Sequence, residues 1–217
     1  MGDQSFVSQA ARTRVRHAVT PIAGALGKVG LTPNALTVIG FLISGVAAAV
    51  AAAQLWVLAA GLVIFGGSFD MLDGGLARLQ NRVTRFGAFL DSTLDRWGEG
   101  TVYIGIAAGA AQAGWVAGVA LATAAAVSSF QVSYTRAKAE SLDLHGEVGI
   151  APRAERLVVL TIGLQAAGLD GGVASGARGQ VWLGIALGII FVTASITAIQ
   201  RTWHVRSQLG KEEQIAK

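Results

Sequence analysis

Cysteine is absent from the 217 residues, which excludes a disulfide framework and any thiolate metal site. Proline is nearly absent, at three residues, whereas glycine reaches 29. Many glycines with few prolines suit closely packed membrane helices and not a low-complexity coil. Charge is scarce as well. Asp, Glu, Lys and Arg make up 14% of the chain, against about 25% in a soluble domain, so too few residues remain to keep a large surface wet. The three histidines, His17, His145 and His204, are scattered and read as surface residues.

What the chain has is long uncharged runs. None of the residues from Pro33 to Phe69 is charged, a stretch too long for one helix crossing a hydrocarbon core, which takes about 20 residues. A break near Gln54 predicts spans over about 35–53 and 56–79. The run Gly100–Thr135, broken near Gly114, predicts spans over about 86–111 and 116–136. Two more are expected over about 154–170 and 179–200, the fifth tolerating Arg153 and Arg156 at the membrane surface by snorkelling. The expected fold is therefore an all-α integral membrane protein with six transmembrane helices. Its parts are a basic juxtamembrane segment (1–34), a six-helix transmembrane domain (35–202) and a tail (203–217). No secretory signal is expected, because the first apolar stretch begins near Ala35 after a segment carrying Arg12, Arg14, Arg16 and Lys28.

Charge placement supports six spans. With the N-terminus inside, the cytoplasmic segments and inner span ends hold every Lys and Arg except Arg178, as the positive-inside rule expects. Both termini are then cytoplasmic and the chain is a multi-pass protein of the cell membrane. Thr32-Pro33 reads as a helix start, with Thr at the cap and Pro at the first position. Residues 11–29 mix Arg and His with Val, Ile and Leu, and read equally as an amphipathic surface helix or as an ordinary basic flank. Trp56, Trp115 and Trp182 fall at span ends, as interface anchors do. Gly105-x3-Gly109 and Gly114-x3-Gly118 are candidates for helix contacts or a dimer face.

The second and third spans carry Asp70, Asp73, Asp91, Asp95 and Glu99. An ionised side chain at the bilayer centre costs about 2.5–3.5 kcal/mol on insertion scales, so these acids need a reason. Asp70 and Asp73 are three residues apart and Asp91 and Asp95 four apart, which places each pair on one helix face. A short loop joins the two helices and makes them antiparallel neighbours, so both pairs are expected to face one gap near the cytoplasmic side. Four like charges there would largely neutralise each other by protonation. Bound cations remove that problem, and an all-oxygen cluster suits Mg²⁺ or Mn²⁺ over Zn²⁺. Two divalent ions about 3.5–4 Å apart serve displacement at phosphorus. Gly66, Ala77 and Gly87 are small enough to let the backbones approach, and Arg78 is placed to meet a phosphate.

Together these residues read Asp70-x2-Asp73-Gly74-x2-Ala77-Arg78-x8-Gly87-x3-Asp91-x3-Asp95, eight fixed positions in 26 residues. This resembles the signature of the CDP-alcohol phosphatidyltransferase family, as do the basic N-terminal segment and Leu31-Thr32-Pro33-Asn34 before the first span. The resemblance implies that Asp70, Asp73 and Asp91 bind two divalent ions with Asp95 sharing in ligation. It implies that Thr32, Pro33, Asn34, Gly74, Ala77, Arg78, Thr84 and Gly87 lie against the CDP part of a CDP-diacylglycerol donor. Asp95 would be the general base for the acceptor hydroxyl, which attacks the β-phosphorus as CMP leaves. Homodimers are usual in the family. No nucleic-acid partner is expected.

For the acceptor, Arg136 and Lys138 follow the fourth span, Arg153 and Arg156 open the fifth and Arg201 ends the sixth. Such a basic cluster suits an anionic acceptor. Ser133-Tyr134-Thr135-Arg136-Ala137-Lys138-Ala139-Glu140 and Arg153-Ala154-Glu155-Arg156-Leu157 look like the phosphatidylinositol phosphate synthases of actinobacteria, which implies inositol 1-phosphate as acceptor. Arg136 or Lys138, with Arg153 and Arg201, would then hold its phosphate. Glycerol 3-phosphate, giving phosphatidylglycerophosphate, is the nearest alternative. A cation transporter and a membrane scaffold are the readings from other classes. The acids cluster at one end instead of lining a path, which disfavours transport, and a scaffold would rarely carry so many costly groups.

Overall fold

The computed structural model describes residues 21–80 and 82–215. Every regular element among them is helical. Residues 21–28 form α1. It is followed by α2 (Pro33–Ala52), α3 (Trp56–Leu79), α4 (Arg85–Gln112), α5 (Val116–Glu140), α6 (Arg153–Leu169) and α7 (Gly179–Ile215). These six long helices stand where six spans were expected, and only the last differs much, running on past Gln200. Of the segment 11–29, read as either a surface helix or a basic flank, residues 11–20 lie outside the described residues, and 21–28 are α1. There Ala23 is fully buried and clusters with Leu36, Leu72 and Leu76 of α2 and α3.

Among the described residues, four helices are long and apolar enough to cross a membrane: Pro33–Ala52, Trp56–Leu79, Val116–Glu140 and, within α7, Gly179–Gly210. The other two fall short for identifiable reasons. α4 has 28 residues, but Asp91, Asp95, Arg96 and Glu99 fall between its second turn and its middle. α6 has 17 residues, or about 25 Å at 1.5 Å per residue, less than the about 30 Å of a hydrocarbon core.

The helix boundaries follow from local chemistry. Thr32 caps α2, its Oγ1 accepting from the Ala35 amide at 3.2 Å, and Pro33 takes the first turn. Thr84 caps α4 in the same way, accepting from the Gly87 amide at 2.9 Å. The turn between α4 and α5 needs φ of 70° at Gly114, which glycine adopts without a Cβ clash.

Packing closes into a circuit. α2 packs on α3 and α4, α3 on α6, α6 on α7, α7 on α5, and α5 on α4. The expectation that α3 and α4 pack directly on one another is not met: both lean on α2 and contact each other at most marginally. Gly66 accordingly faces Gly40, Ile43 and Ser44 of α2 and not α4. The Gly105 and Gly109 pair is also internal. A Cβ on Gly105 would overlap the Ala48 backbone, and one on Gly109 would overlap Ala51 and Trp56. This is close backbone approach by small residues, the usual basis of helix contact in lipid, and it removes that pair from any dimer face. Gly118 is covered by its own neighbour Trp115.

The main core runs through the middle of the circuit and includes Ala47, Ala51, Ala59, Ala60, Tyr103, Ile106, Leu164 and Leu187. Trp56 belongs to it at 2% exposure, so it is a packing residue and not an interface anchor. The outward faces carry Leu42, Val46, Ile64, Phe65, Ile104, Val127, Ile162, Ile185 and Val192, all exposed, an apolar surface suited to lipid contact.

Candidate functional site

Three helices bring the polar residues to one end of the circuit. α3 supplies Asp70 and Asp73, α4 supplies Asp91 and Asp95, and α6 supplies Arg153 at its first position. The acids are not left to repel each other. Arg153 Nη1 pairs with Asp70 Oδ2 and lies 2.5 Å from Asp95 Oδ2, tying three helices together through one guanidinium. Asp73 is held differently. Its Oδ2 accepts from Thr37 Oγ1 at 2.7 Å and its Oδ1 from the Gly74 amide at 2.5 Å. Among the described residues, Asp91 Oδ1 and Arg153 Nε are buried with no hydrogen-bond partner.

A buried carboxylate oxygen without a donor is expensive in a low-dielectric site, and a cation at Asp91 would answer it. The donor set is all oxygen, as hard divalent ions require. Among the described residues, no three carboxylates or histidines are grouped closely enough to hold an ion as they stand. The guanidinium of Arg153 takes the place of positive charge between Asp70 and Asp95. The oxygen set fits a divalent ion in kind, with Arg153 lying in the gap.

Two cavities meet at Asp91. The first, about 180 Å³, is lined by Pro33, Asn34, Thr37, Asp73, Gly74, Ala77, Arg78, Thr84, Gly87 and Asp91, among others. Seven of the eight residues expected against the CDP group are here. The eighth, Thr32, is spent on capping α2. Gly74 leaves its backbone open beneath Arg78, whose Nη1 would lie 3.5 Å from a Cβ at that position. At Gly87 a Cβ would come within 3.0 Å of Thr84 Oγ1 and 3.2 Å of Asn34 Oδ1.

The second cavity, about 710 Å³, is lined by Asp91, Asp95, Arg96, Ser133, Arg136, Arg153, Arg156 and Arg201, among others. Three of the four residues expected at an acceptor phosphate are therefore brought together. Lys138 is not. It follows Arg136 by two residues, which on an α-helix turns it to the far side, and it is exposed there. Arg201 is buried, with Nε donating to Val148 O at 2.8 Å and Nη1 to Val132 O.

Two features were not read from the sequence. Thr37 holds Asp73, and its one available signal is a spacing of three from Asn34, which puts both on one face of α2. Glu99 and Arg156 form a bidentate pair at 2.9 and 2.8 Å. Glu99 follows Asp95 by four residues and Arg156 follows Arg153 by three, so each continues a polar face already recognised.

The chain resembles known proteins along most of its length. The family model for CDP-alcohol phosphatidyltransferase matches residues 30–192. The phosphatidylinositol phosphate synthase of Cutibacterium acnes is 39% identical over 193 residues, covering 87% of this chain and 92% of that protein. The archaetidylinositol phosphate synthase of Methanothermobacter thermautotrophicus is 40% identical over 152 residues, covering 70% and 74%. The phosphatidylinositol phosphate synthase of Mycobacterium tuberculosis, solved with CDP-DAG bound, superposes with a TM-score of 0.75 at 32% identity, covering 86% of this chain and 92% of that one. The same enzyme in complex with manganese and citrate gives the same TM-score and identity, covering 86% and 88%.

Proposed function

We propose, from the premise that this chain belongs to the CDP-alcohol phosphatidyltransferase family and is a membrane transferase of phospholipid biosynthesis, that it moves the phosphatidyl group of CDP-diacylglycerol onto inositol 1-phosphate. The products are phosphatidylinositol phosphate and CMP. The observation that carries this reading is the meeting of two unlike cavities at Asp91. One has the CDP-signature residues, and the other gathers Arg136, Arg153 and Arg201. A donor pyrophosphate in the first and a phosphorylated alcohol in the second would place the acceptor hydroxyl beside the carboxylates that divide them.

In this reading Asp95 takes the proton of the acceptor hydroxyl, and the hydroxyl oxygen forms a bond to the β-phosphorus. The bridging P–O bond breaks, and CMP leaves with that electron pair. Asn34, Gly74, Arg78, Thr84 and Gly87 hold the CDP group. Thr37 orients Asp73. Asp70, Asp73, Asp91 and Asp95 are the residues that would hold two divalent cations, Mg²⁺ or Mn²⁺. When bound, these offset the pyrophosphate charge and stabilise the leaving group. Support comes from the oxygen-only donor set, the partnerless Asp91 Oδ1 and the similar enzyme solved with manganese. Six helices spanning the membrane, both termini cytoplasmic, a site near the cytoplasmic face and a homodimer complete the proposal. α4 and α6 complete the six because they close the packing circuit with the four apolar helices.

The test is CMP release by purified protein in detergent, given CDP-diacylglycerol and Mg²⁺ with inositol 1-phosphate, glycerol 3-phosphate, inositol or serine in turn. Release with inositol 1-phosphate is expected, abolished by EDTA and lowered about 10²–10⁴-fold by Asp95→Asn. Release with glycerol 3-phosphate alone would transfer the reading to phosphatidylglycerophosphate synthesis. Release only with inositol or serine would remove the role given to the arginines.

A further inference from the structure

The segment between α5 and α6 has no regular structure from Glu147 to Pro152, yet it touches the acceptor-cavity arginines in order. Glu147 Oε1 pairs with Arg136 Nη2. The Val148 carbonyl accepts from Arg201 Nε at 2.8 Å. The Ala151 carbonyl accepts from Arg156 Nη1 at 2.9 Å. Arg153 then opens α6. Three arginines from α5, α6 and α7 are thus addressed by five consecutive residues, and the segment ends on a fourth. Guanidinium groups gathered around one cavity repel each other. The carboxylate and carbonyl oxygens of this segment supply the opposing partial charges that keep them together.

The segment is itself tied to α7. The Ala151 amide donates to Thr197 Oγ1 at 3.0 Å, and that hydroxyl donates to Thr193 O at 2.8 Å. Thr197 is fully buried. At the other end, Gln208 uses both functions of its amide on one residue. Oε1 accepts from the His145 N–H at 3.1 Å and Nε2 donates to the His145 carbonyl at 2.9 Å. Between these ties Gly149 has φ of 124°, a conformation that disfavours any side chain, and a Cβ there would overlap Thr197 Cγ2.

We propose that residues 145–151 form a strap that sets the spacing of the acceptor-cavity arginines, with Thr197 and Gln208 as its positioning residues. Neither touches the cavity, and both act through the strap. The proposal rests on the acceptor reading given above. A preset group of donors binds a phosphate without the entropic cost of collecting them, so loosening the strap raises the acceptor KM and spares the donor side, whose residues lie on α2, α3 and α4.

The experiment compares wild type with Thr197→Val, Thr197→Ser and Gln208→Ala in detergent. It measures KM for inositol 1-phosphate, KM for CDP-diacylglycerol, and amide exchange in the peptide covering 141–156. Thr197→Val keeps the shape and loses the hydroxyl. It is expected to raise the acceptor KM roughly tenfold, leave the donor KM within about twofold and speed exchange of the strap. Thr197→Ser should restore all three, and Gln208→Ala should act in the same direction from an accessible position. Equal changes in both KM values, a fall in kcat alone, or unchanged strap exchange in Thr197→Val would each overturn the proposal. A wild-type protein that turns over no phosphorylated acceptor would sink the acceptor reading instead, and strap exchange would still judge the tie through Thr197.

Discussion

Arg156 meets Glu99 through two parallel bonds, Nε to Oε1 at 2.9 Å and Nη2 to Oε2 at 2.8 Å, with the two side chains 2% and 5% exposed. The pair joins the first turn of α6 to the middle of α4. A buried ion pair is weak evidence of net stabilisation, but removing one partner leaves a buried charge uncompensated. Tyr103, one turn beyond Glu99, is also buried, with its hydroxyl 3.4 Å from Ser129 Oγ, so the surroundings offer little to take over.

Glu99→Leu and Arg156→Met, made singly, should each destabilise the protein by about 3–5 kcal/mol. The double variant should recover most of the loss, since it removes both charges at once. Thermal unfolding in detergent measures this. Losses that simply add in the double variant would show that the two side chains act independently.

The position of Arg153 carries a prediction about metal binding. Its guanidinium pairs with Asp70 and Asp95, two of the four carboxylates proposed to hold divalent ions. A cation entering that gap competes with it. Arg153→Met should therefore tighten Mn²⁺ binding by roughly tenfold while weakening use of a phosphorylated acceptor. Titration of free Mn²⁺ by electron paramagnetic resonance reads the first effect without any turnover. Weaker Mn²⁺ binding in the variant would mean that the arginine assembles the acids and does not compete with a cation.

Much of this site was legible because membrane helices make charge conspicuous. Asp70, Asp73, Asp91 and Asp95 stand out against uncharged runs, and their spacing of three and four fixes a shared face. Thr32-Pro33 marks a helix start by chemistry that acts within one turn. The partners of the acids were less accessible. Arg153 reaches Asp70 across 83 positions, and nothing in either neighbourhood encodes that pairing. Thr37 looks like any other small residue of an apolar helix until the fold sets it against Asp73. The relation of α3 to α4 was misjudged for a related reason. A short loop constrains direction, but the small residues of α2, α3 and α4 decide which backbones come close. Trp56 was misplaced because its position at a helix end says nothing about which way the ring turns.

The difference between Arg136 and Lys138 tests the division of the basic cluster. Arg136 lines the larger cavity and pairs with Glu147, whereas Lys138 points away from it. Arg136→Ala should raise the acceptor KM by about tenfold, in line with loss of one charge-assisted bond. Lys138→Ala should stay within about twofold of wild type, as surface charges usually do. Steady-state kinetics with varied acceptor decides it, and the reverse order of effects would mean that α5 presents another face to the acceptor.

The close approach of α2 and α4 sets a limit on substitution that has nothing to do with chemistry. At Gly105 a Cβ would overlap the Ala48 backbone, which cannot turn aside as a flexible side chain would. The helices would have to separate, and α4 would carry Asp91 and Asp95 away from α3. Gly105→Val should cost at least about 1–3 kcal/mol as an overpacking substitution and lower activity with it. Gly188→Ala makes the control, because a Cβ there meets nothing within 4 Å and alanine is the better helix former by about 1 kcal/mol. Unfolding midpoints of the two variants in one detergent should fall on opposite sides of wild type. If Gly105→Val were as stable as Gly188→Ala, the α2–α4 contact would not be the one that holds the acids in place.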